Sequence, residues 1–196
     1  MTIDTQVLQL TEQLKIVNKG HILYLYESLQ HYIENAVAYG ISGMEYGHQV
    51  FYIENREIFA MIKRQLQQRL NIDSLPGHIH HVDNQEFYST HGDFNYVTIV
   101  RYFESMLQPF LLHNTALRTW AHVEWREQDN ITEKLEEFEA IADDSVSDLD
   151  VMSLCAYNAN TLPASFVSRM LRSHGMYMTD EELVKSPLYR VRESHT

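Results

Sequence analysis

The chain has 196 residues, which is long enough for one α/β domain with a substantial core. Its residues are 44% hydrophobic and 21% charged, which is ordinary for a soluble globular protein. Its formal net charge of −12 argues against general binding to nucleic acids or anionic membranes, because both depend on clustered Lys and Arg. The single cysteine, Cys155, excludes an intramolecular disulfide and a cysteine-based zinc cluster. The sequence contains neither a signal peptide nor an apolar run long enough to span a bilayer, so a cytoplasmic location is expected.

The hydrophobic pattern of the first half predicts alternating helices and strands. A leading helix over residues 7–17 is followed by a strand over residues 21–26. The next helix begins at the N-cap Ser28 and is expected to stop at Gly40 and Gly43. The elements that follow are a strand at 49–53, a helix at 56–70, a strand at 78–82 and a polar loop at 83–95. Loops of that length in compact domains are often functional.

The second half continues the same alternation. Asn130 and Glu133 have the spacing of a capping box at the start of one helix. The predicted elements are a helix at 96–113, a strand at 117–125, a helix at 131–142, an acidic linker at 143–148, a strand at 151–157, a helix at 163–172 and a short edge strand at 174–178. This order is typical of an α/β protein in which helices flank a mostly parallel sheet in three layers. We expect one domain over residues 1–196, with residues 1–18 as a leading helix and 190–196 as a flexible tail.

The connection between the first strand and its helix lacks the residues that bind phosphate. A working phosphate loop, G-x-x-x-x-G-K-[ST], supplies backbone N–H groups, a lysine and a hydroxyl for magnesium. This chain has Glu27-Ser-Leu-Gln-His31 at that position, with neither glycine nor lysine, and Glu27 would repel phosphate. We therefore expect no competent ATP hydrolysis, and no other motif gives direct evidence for an enzyme or a cofactor.

Six separated motifs carry a family resemblance. They are His21-Ile-Leu-Tyr-Leu-Tyr26, Ile33-Glu-Asn-Ala-Val-Ala-Tyr-Gly-Ile-Ser-Gly-Met-Glu-Tyr-Gly47, Ala121-His-Val-Glu-Trp125, Phe138-Glu139, Leu154-Cys-Ala-Tyr157 and Leu171-Arg-Ser-His-Gly175. In this order and spacing, over residues 19–189, the chain resembles the MEDS domain, a sensory domain of methanogen and methylotroph regulators. Gly175 stands where the family commonly has proline.

The resemblance implies a RecA-like fold, similar to that of circadian-clock ATPases, that has lost its phosphate-binding loop. It also implies recognition of a small molecule, with hydrocarbon derivatives proposed, as an input module for transcription regulators or histidine kinases. No helix-turn-helix, PAS or kinase segment is found in this sequence, so a standalone sensory domain would act through a separate signalling protein or through self-association.

Ligands of parallel α/β sheets bind outside the carboxyl ends of the strands. If strands one and five are neighbours, as the family fold implies, His21, Cys155 and Tyr157 can converge on one pocket. The predicted ligand-binding residues are His21, Tyr26, Glu27, Glu124, Trp125, Cys155 and Tyr157. Glu124, beside Trp125, is expected to be partly desolvated.

Several of these residues have other interpretations. His21 and Cys155 could form a nucleophile pair or two metal ligands, or they could be ordinary core residues. The segment His78-Ile-His80-His81 could place two imidazoles on one face of a strand, with His91 or Asp83 as a third ligand. Because no companion ligand motif accompanies it, a polar strand end is favoured and no metal site is predicted.

The predicted function is that of a non-enzymatic sensory protein that binds a small-molecule signal and acts through a partner in transcriptional or two-component signalling. Two alternatives stay open at this point: a ligand-independent regulator that works by protein interaction, and a degenerate nucleotide-binding ATPase. A thermal-shift screen, a pull-down and a phosphate-release assay distinguish the three.

Overall fold

The computed structural model describes residues 12–14, 19–70, 77–89, 94–125 and 130–190. Residues 12–14 are helical, as predicted for the leading helix, and most of that helix lies outside the described residues. His91, part of the predicted loop and residues 191–196 of the predicted tail also lie outside them. Within the described ranges, no helix is both long and apolar enough to cross a bilayer.

A seven-stranded sheet forms the centre of the fold. Its strands are β1 (Gly20–Tyr26), β2 (Gln49–Glu54), β3 (Ile79–Asp83), β4 (Leu117–His122), β5 (Met152–Asn158), β6 (Met176–Met178) and β7 (Leu183–Lys185). Their order is β3-β2-β4-β5-β1-β6-β7, and all neighbours are parallel except β6 and β7. β1 therefore pairs with β5, with His21 opposite Ser153 and Leu23 opposite Cys155. The predicted α/β class and the predicted neighbourhood of strands one and five are confirmed.

Helices cover both faces of the sheet. They are α1 (Leu29–Glu45), α2 (Arg56–Arg69), α3 (Asn84–Ser89), α4 (Tyr96–Leu111), α5 (Ile131–Leu149) and α6 (Ala164–Ser173). One face packs under α1 and α2 around Trp120, and the opposite face packs under α3 to α6 around Phe138. Since side chains alternate between faces along a strand, the strands from β1 to β6 contribute to both cores.

The first sequence prediction that is wrong concerns the end of α1. The helix continues through Gly40 and Gly43 to Glu45. A Cβ atom at Gly40 would lie 2.3 Å from the Tyr52 hydroxyl, and one at Gly43 would lie 2.5 Å from a methyl group of Val50. These glycines allow close approach of the helix to β2, so they serve packing and not termination.

Two predicted loops are helical. The segment predicted as a polar loop after β3 contains α3, in which Phe87 and Tyr88 are buried. The predicted acidic linker belongs to α5, because Asp143 and Val146 continue the inward stripe of that helix. A run of carboxylates concealed this periodicity in the sequence.

Two further details differ from the sequence predictions. The backbone of the N-cap residue Asn130 adopts the left-handed conformation, with φ of 58°, and its side chain makes no capping hydrogen bond. The predicted capping box therefore does not form. The predicted edge strand, β6, lies between β1 and β7, and the edge is β7. Three-residue strands such as β7 are too short for the periodicity that reveals longer ones.

Candidate functional site

The predicted ligand-binding residues divide between the two faces of the sheet. His21, Cys155 and Tyr157 point toward α5 and α6, whereas Tyr26 belongs to the core under α1. His21 is the second residue of β1 and Tyr26 is the last, so their backbones are separated by about 16 Å at ~3.3 Å per residue. The structure therefore holds two separate sites where the sequence predicted one pocket.

The junction between β1 and α1 consists of only Glu27 and Ser28. The backbone N–H groups of both residues donate to one carboxylate oxygen of Asp180, over 3.1 Å and 3.0 Å. The buried Tyr24 hydroxyl donates to the other oxygen over 2.7 Å. The N-terminus of a helix attracts anions through its free N–H groups and its dipole. At this position the anion is the chain's own Asp180, supplied by the β6–β7 turn.

A polar network, the carboxyl-edge cluster, lies where β1, β2 and β4 end. It comprises Tyr26, Tyr32, Glu54, Asn84, His122 and Glu124. Glu54 is fully buried, and its Oε1 accepts from the Asn55 N–H and from His122 Nδ1, each over 2.8 Å. Its Oε2 accepts from the Tyr32 hydroxyl, which in turn accepts from the Trp120 indole N–H over 2.7 Å. Each oxygen of this buried carboxylate is therefore satisfied.

His122 connects Glu54 to Tyr26, whose hydroxyl lies 2.9 Å from His122 Nε2. Burial opposes protonation of His122, but the hydrogen bond and charge of Glu54, with the charge of Glu124, outweigh it and raise the pKa of His122. Burial, together with Glu124 and Glu54, raises the pKa of the Tyr26 phenol. The cluster can thus hold a proton on His122, while Tyr26 is held neutral and is a poor nucleophile.

An open cleft of about 1200 Å³ borders this cluster. Its lining includes Asn55 and Arg56 at the start of α2, Asp83 at the end of β3, Glu86 on α3 and Glu124. Arg56 forms ion pairs with Asp83 over 3.1 Å and with Glu86 over 3.2 Å. Since Glu57 also lines the cleft, acidic groups outnumber the single arginine and the cleft is electronegative.

The remaining residues predicted near this edge have different exposures. The Glu124 side chain is 47% exposed and accepts from Asn84 over 2.7 Å, so its carboxylate is partly removed from water and pairs with a neighbouring strand end. Glu27 is exposed and contributes its backbone N–H, as described above. Trp125 is half-buried, with its ring 6.0 Å from that of Tyr157.

A second group, the His–Cys cluster, is buried between β1, β5, α5 and the end of α6. It comprises His21, Glu139, Cys155 and His174, and one ligand-type atom from each lies within 4.8 Å of the others. His21 Nε2 is 3.3 Å from Cys155 Sγ and 3.4 Å from Glu139 Oε2. His174 Nε2 is also 3.4 Å from Glu139 Oε2. The Tyr157 hydroxyl donates to Glu139 Oε1.

The environment fixes the protonation of this cluster. Burial would raise the pKa of Glu139, but His174, His21 and the Tyr157 hydroxyl outweigh it and lower that pKa. Burial and the adjacent Glu139 raise the pKa of the Cys155 thiol well above its usual value. Burial and the adjacent His21 lower the pKa of His174. A free thiol with a raised pKa is a poor nucleophile, so this geometry does not favour the nucleophile pair considered from the sequence.

The other histidine group does not converge on a common point. His80 Nε2 bonds to the Gln49 side chain over 2.6 Å, and His81 Nε2 bonds to the Glu54 carbonyl over 2.8 Å. Their rings stack on Phe51 and Phe59. These contacts agree with the predicted polar strand end.

Comparison with known families identifies the chain. The sequence model of MEDS, described as the "MEthanogen/methylotroph, DcmR Sensory domain", matches residues 20–175. The chain belongs to the MEDS family. The match to a family of sensory domains supports a signalling role, and the resemblance seen in the sequence is confirmed.

Solved structures place this MEDS chain in the RecA-like fold. A KaiC-like protein from the hyperthermophilic archaeon Pyrococcus horikoshii OT3 is 14% identical with a TM-score of 0.55, over 83% of this chain and 71% of that one. The ATPase domain of G40P is 9% identical with a TM-score of 0.54, over 82% and 69%. The flagellar accessory protein FlaH from Methanocaldococcus jannaschii is 12% identical with a TM-score of 0.51, over 83% and 71%. At these identities the likeness shows the fold alone. Comparison with curated protein sequences finds no significant match.

The predicted ligand-binding residues of this MEDS chain leave out several that the structure places at these sites, among them Glu54, Glu139, His174 and Asp180. Glu139 and His174 belong to the motifs that carry the family resemblance, and those motifs are the sequence feature that could have identified them. Glu54 directly follows a predicted strand, and the strand-end rule does select it, although it was not among the predicted ligand-binding residues. Asp180 follows the last predicted element, and no local pattern connects it with Glu27.

Proposed function

We propose that this MEDS chain is a non-enzymatic sensory protein that binds a small-molecule signal in the carboxyl-edge cleft and acts through a separate signalling protein. The observation that carries the proposal is the bonding of Asp180 to the N–H groups of Glu27 and Ser28. In a RecA-like fold, this strand–helix junction is where a phosphate loop would be placed.

Asp180 makes the junction unsuitable for a phosphate group. Its carboxylate already accepts from the two N–H groups that a phosphate would need, and it is tied by a third hydrogen bond to buried Tyr24. A phosphate oxygen would meet a negative charge in place of a lysine. Competition with the intramolecular carboxylate therefore disfavours ATP, and it supports the interpretation of this junction as a degenerate phosphate loop.

The cleft favours a different class of ligand. Its surplus of carboxylates, with Arg56 already paired, repels polyanions and attracts neutral or cationic molecules. Glu124 lines the cleft and offers a carboxylate that can accept a hydrogen bond from a ligand. A small alcohol or amine, that is, a short hydrocarbon derivative with one polar end, fits this chemistry.

The signal would be transmitted by a population shift. Gln85 and Glu86 belong to α3 and line the cleft. A ligand that bonds to these residues favours the arrangement of α3 in which they face the cleft. A partner protein that binds this surface then binds the two arrangements with different affinity. The partner, a kinase or transcription regulator, the cytoplasmic location and self-association all stay predictions.

A ligand-binding screen tests the proposal. Thermal stability of the full chain is measured with short alcohols and amines in one panel and with ATP–Mg²⁺, ADP–Mg²⁺ and inorganic phosphate in a second. We expect saturable stabilisation by a member of the first panel, lost in Glu124→Gln and retained in the control Glu133→Gln, whose side chain is exposed on α5.

Two results would overturn the proposal. Saturable stabilisation by ATP with phosphate release would show a working ATPase. A stoichiometric partner captured from native cells with no response to either panel would favour the ligand-independent regulator.

A further inference from the structure

We propose that the His–Cys cluster, formed by His21, Glu139, Cys155 and His174, is a four-ligand site for a divalent transition metal with the preferences of zinc. The site lies on the face of the sheet opposite the carboxyl-edge cluster and does not depend on the function proposed for the cleft. Its ligands come from β1, β5, α5 and the residue that follows α6, so a bound ion would tie four elements together.

The spacing of the ligand atoms matches a tetrahedral ion. With metal–ligand bonds of about 2.0–2.3 Å, the edges of a ligand tetrahedron measure roughly 3.3–3.8 Å. The separations from His21 Nε2 to Cys155 Sγ and to Glu139 Oε2 are 3.3 Å and 3.4 Å, and that from His174 Nε2 to Glu139 Oε2 is 3.4 Å. Two imidazoles, a thiolate and a carboxylate are all zinc ligands.

Backbone carbonyls orient both imidazoles for coordination. His21 Nδ1 lies 3.1 Å from the Ser173 carbonyl oxygen, and His174 Nδ1 lies 2.8 Å from the Met170 carbonyl oxygen. A carbonyl only accepts, so the proton of each neutral ring is on Nδ1 and the Nε2 lone pair faces the cluster. Asp143 Oδ1, 3.5 Å from His21 Nδ1, reinforces the same tautomer. Metal-binding histidines commonly have this arrangement, in which the second nitrogen donates to a carbonyl or carboxylate.

Two buried atoms lack partners where the ion would lie. Among the residues that the structure describes, neither Glu139 Oε2 nor His174 Nε2 has a hydrogen-bond partner, and both residues are fully buried. With both rings in the Nδ1–H tautomer, lone pairs of carboxylate and imidazole face each other without a proton between them. A divalent cation satisfies both atoms, and with a thiolate and a carboxylate as ligands its charge is balanced.

The surroundings favour an ion over an organic ligand. The adjacent apolar cavity, lined by Cys155, Phe138 and Ser153 among others, measures about 20 Å³. That volume admits roughly one water molecule. The predicted ligand contacts of His21, Cys155 and Tyr157 are thus best explained by a metal and its second shell, with Tyr157 positioning Glu139.

Metal content and cobalt spectroscopy test the site. Because the cluster is buried, the full chain is unfolded in chelator and refolded with Zn²⁺ or Co²⁺. We expect one equivalent of metal per chain, resistant to desalting. With Co²⁺ we expect the intense visible bands of a tetrahedral ion and a thiolate-to-metal charge-transfer band.

Three variants separate coordination from folding. Cys155→Ser should lose the charge-transfer band, and Tyr157→Phe should bind metal about 10- to 100-fold more weakly because it loses a second-shell hydrogen bond. The control His113→Gln removes an exposed imidazole and should bind like the wild type. Circular dichroism confirms that each variant is folded. Absence of stoichiometric metal after refolding, or a cobalt spectrum unchanged in Cys155→Ser, would overturn the proposal.

Discussion

Replacing Asp180 by alanine removes the acceptor for three donors at the start of α1. The Tyr24 hydroxyl is fully buried, and leaving such a donor without its acceptor costs about 1–3 kcal/mol. The N–H groups of Glu27 and Ser28 lie near solvent and can be hydrated, so their loss is mainly that of a negative charge at a helix N-terminus, about 0.3–1 kcal/mol. We therefore expect Asp180→Ala to lower the free energy of unfolding by about 1–4 kcal/mol.

Urea unfolding followed by circular dichroism measures this change. Glu181→Ala is the matched control, because its side chain is exposed on the same turn, and we expect it to stay within about 0.5 kcal/mol of the wild type. Asp180→Ala should also gain stability from phosphate, relative to chloride at equal ionic strength, by more than the wild type does, since the N–H groups become free for an anion. Equal stability of the two alanine variants, or an equal phosphate effect in wild type and Asp180→Ala, would refute the assignment of Asp180 as the internal anion.

Three further substitutions test the packing and the carboxyl-edge cluster. Gly43→Ala should destabilise the chain by about 1–3 kcal/mol in urea unfolding, despite the better helix propensity of alanine, because the added Cβ would lie 2.5 Å from a Val50 methyl group. A stabilised variant would contradict this packing. Tyr32→Phe should lose about 2–3 kcal/mol because it leaves Glu54 short of a donor, and a loss under 0.5 kcal/mol would show that water replaces the hydroxyl. The raised pKa of His122 adds stability that is fully present below the unfolded pKa of 6.5 and is lost as pH rises through the folded pKa. The free energy of unfolding should therefore fall with pH in this range, and His122→Gln should remove that fall from a series of unfolding measurements at different pH. An unchanged pH dependence would exclude His122 as its source.

The longer elements could be predicted from the sequence because their periodicity is local. The strands β1, β2 and β5 are apolar runs, and α2 and α4 show clear helical spacing, so their predicted bounds agree closely with the structure. The strands from β1 to β6 pair in parallel because helical crossovers connect them along the chain. The RecA-like fold came from the family resemblance, since periodicity alone does not give strand order.

The predictions that failed depended on tertiary context. Gly40 and Gly43 are ordinary stop signals, and only their contact with β2 shows that they are packing positions. The carboxylates of the predicted linker hid a helix whose inward stripe continues through Val146. Local sequence carries no information on contacts of this kind.

The two sites were only partly predictable for the same reason. The strand-end rule selected Tyr26 and Glu124, and the family motifs selected His21, Cys155 and Tyr157. The division between sheet faces follows from strand alternation, since His21 and Tyr26 are five residues apart on β1 and therefore point to opposite faces. The contact of Asp180 with the start of α1 joins residues more than 150 positions apart, and no sequence pattern reports it.

Titration of the wild-type chain with ATP–Mg²⁺ in an isothermal calorimeter tests the central claim most directly. If Asp180 occupies the phosphate position, the titration gives no saturable heat at millimolar nucleotide, and the same chain binds a small alcohol or amine in a manner that depends on Glu124. Saturable one-to-one binding of ATP, displaced by ADP, would contradict the account.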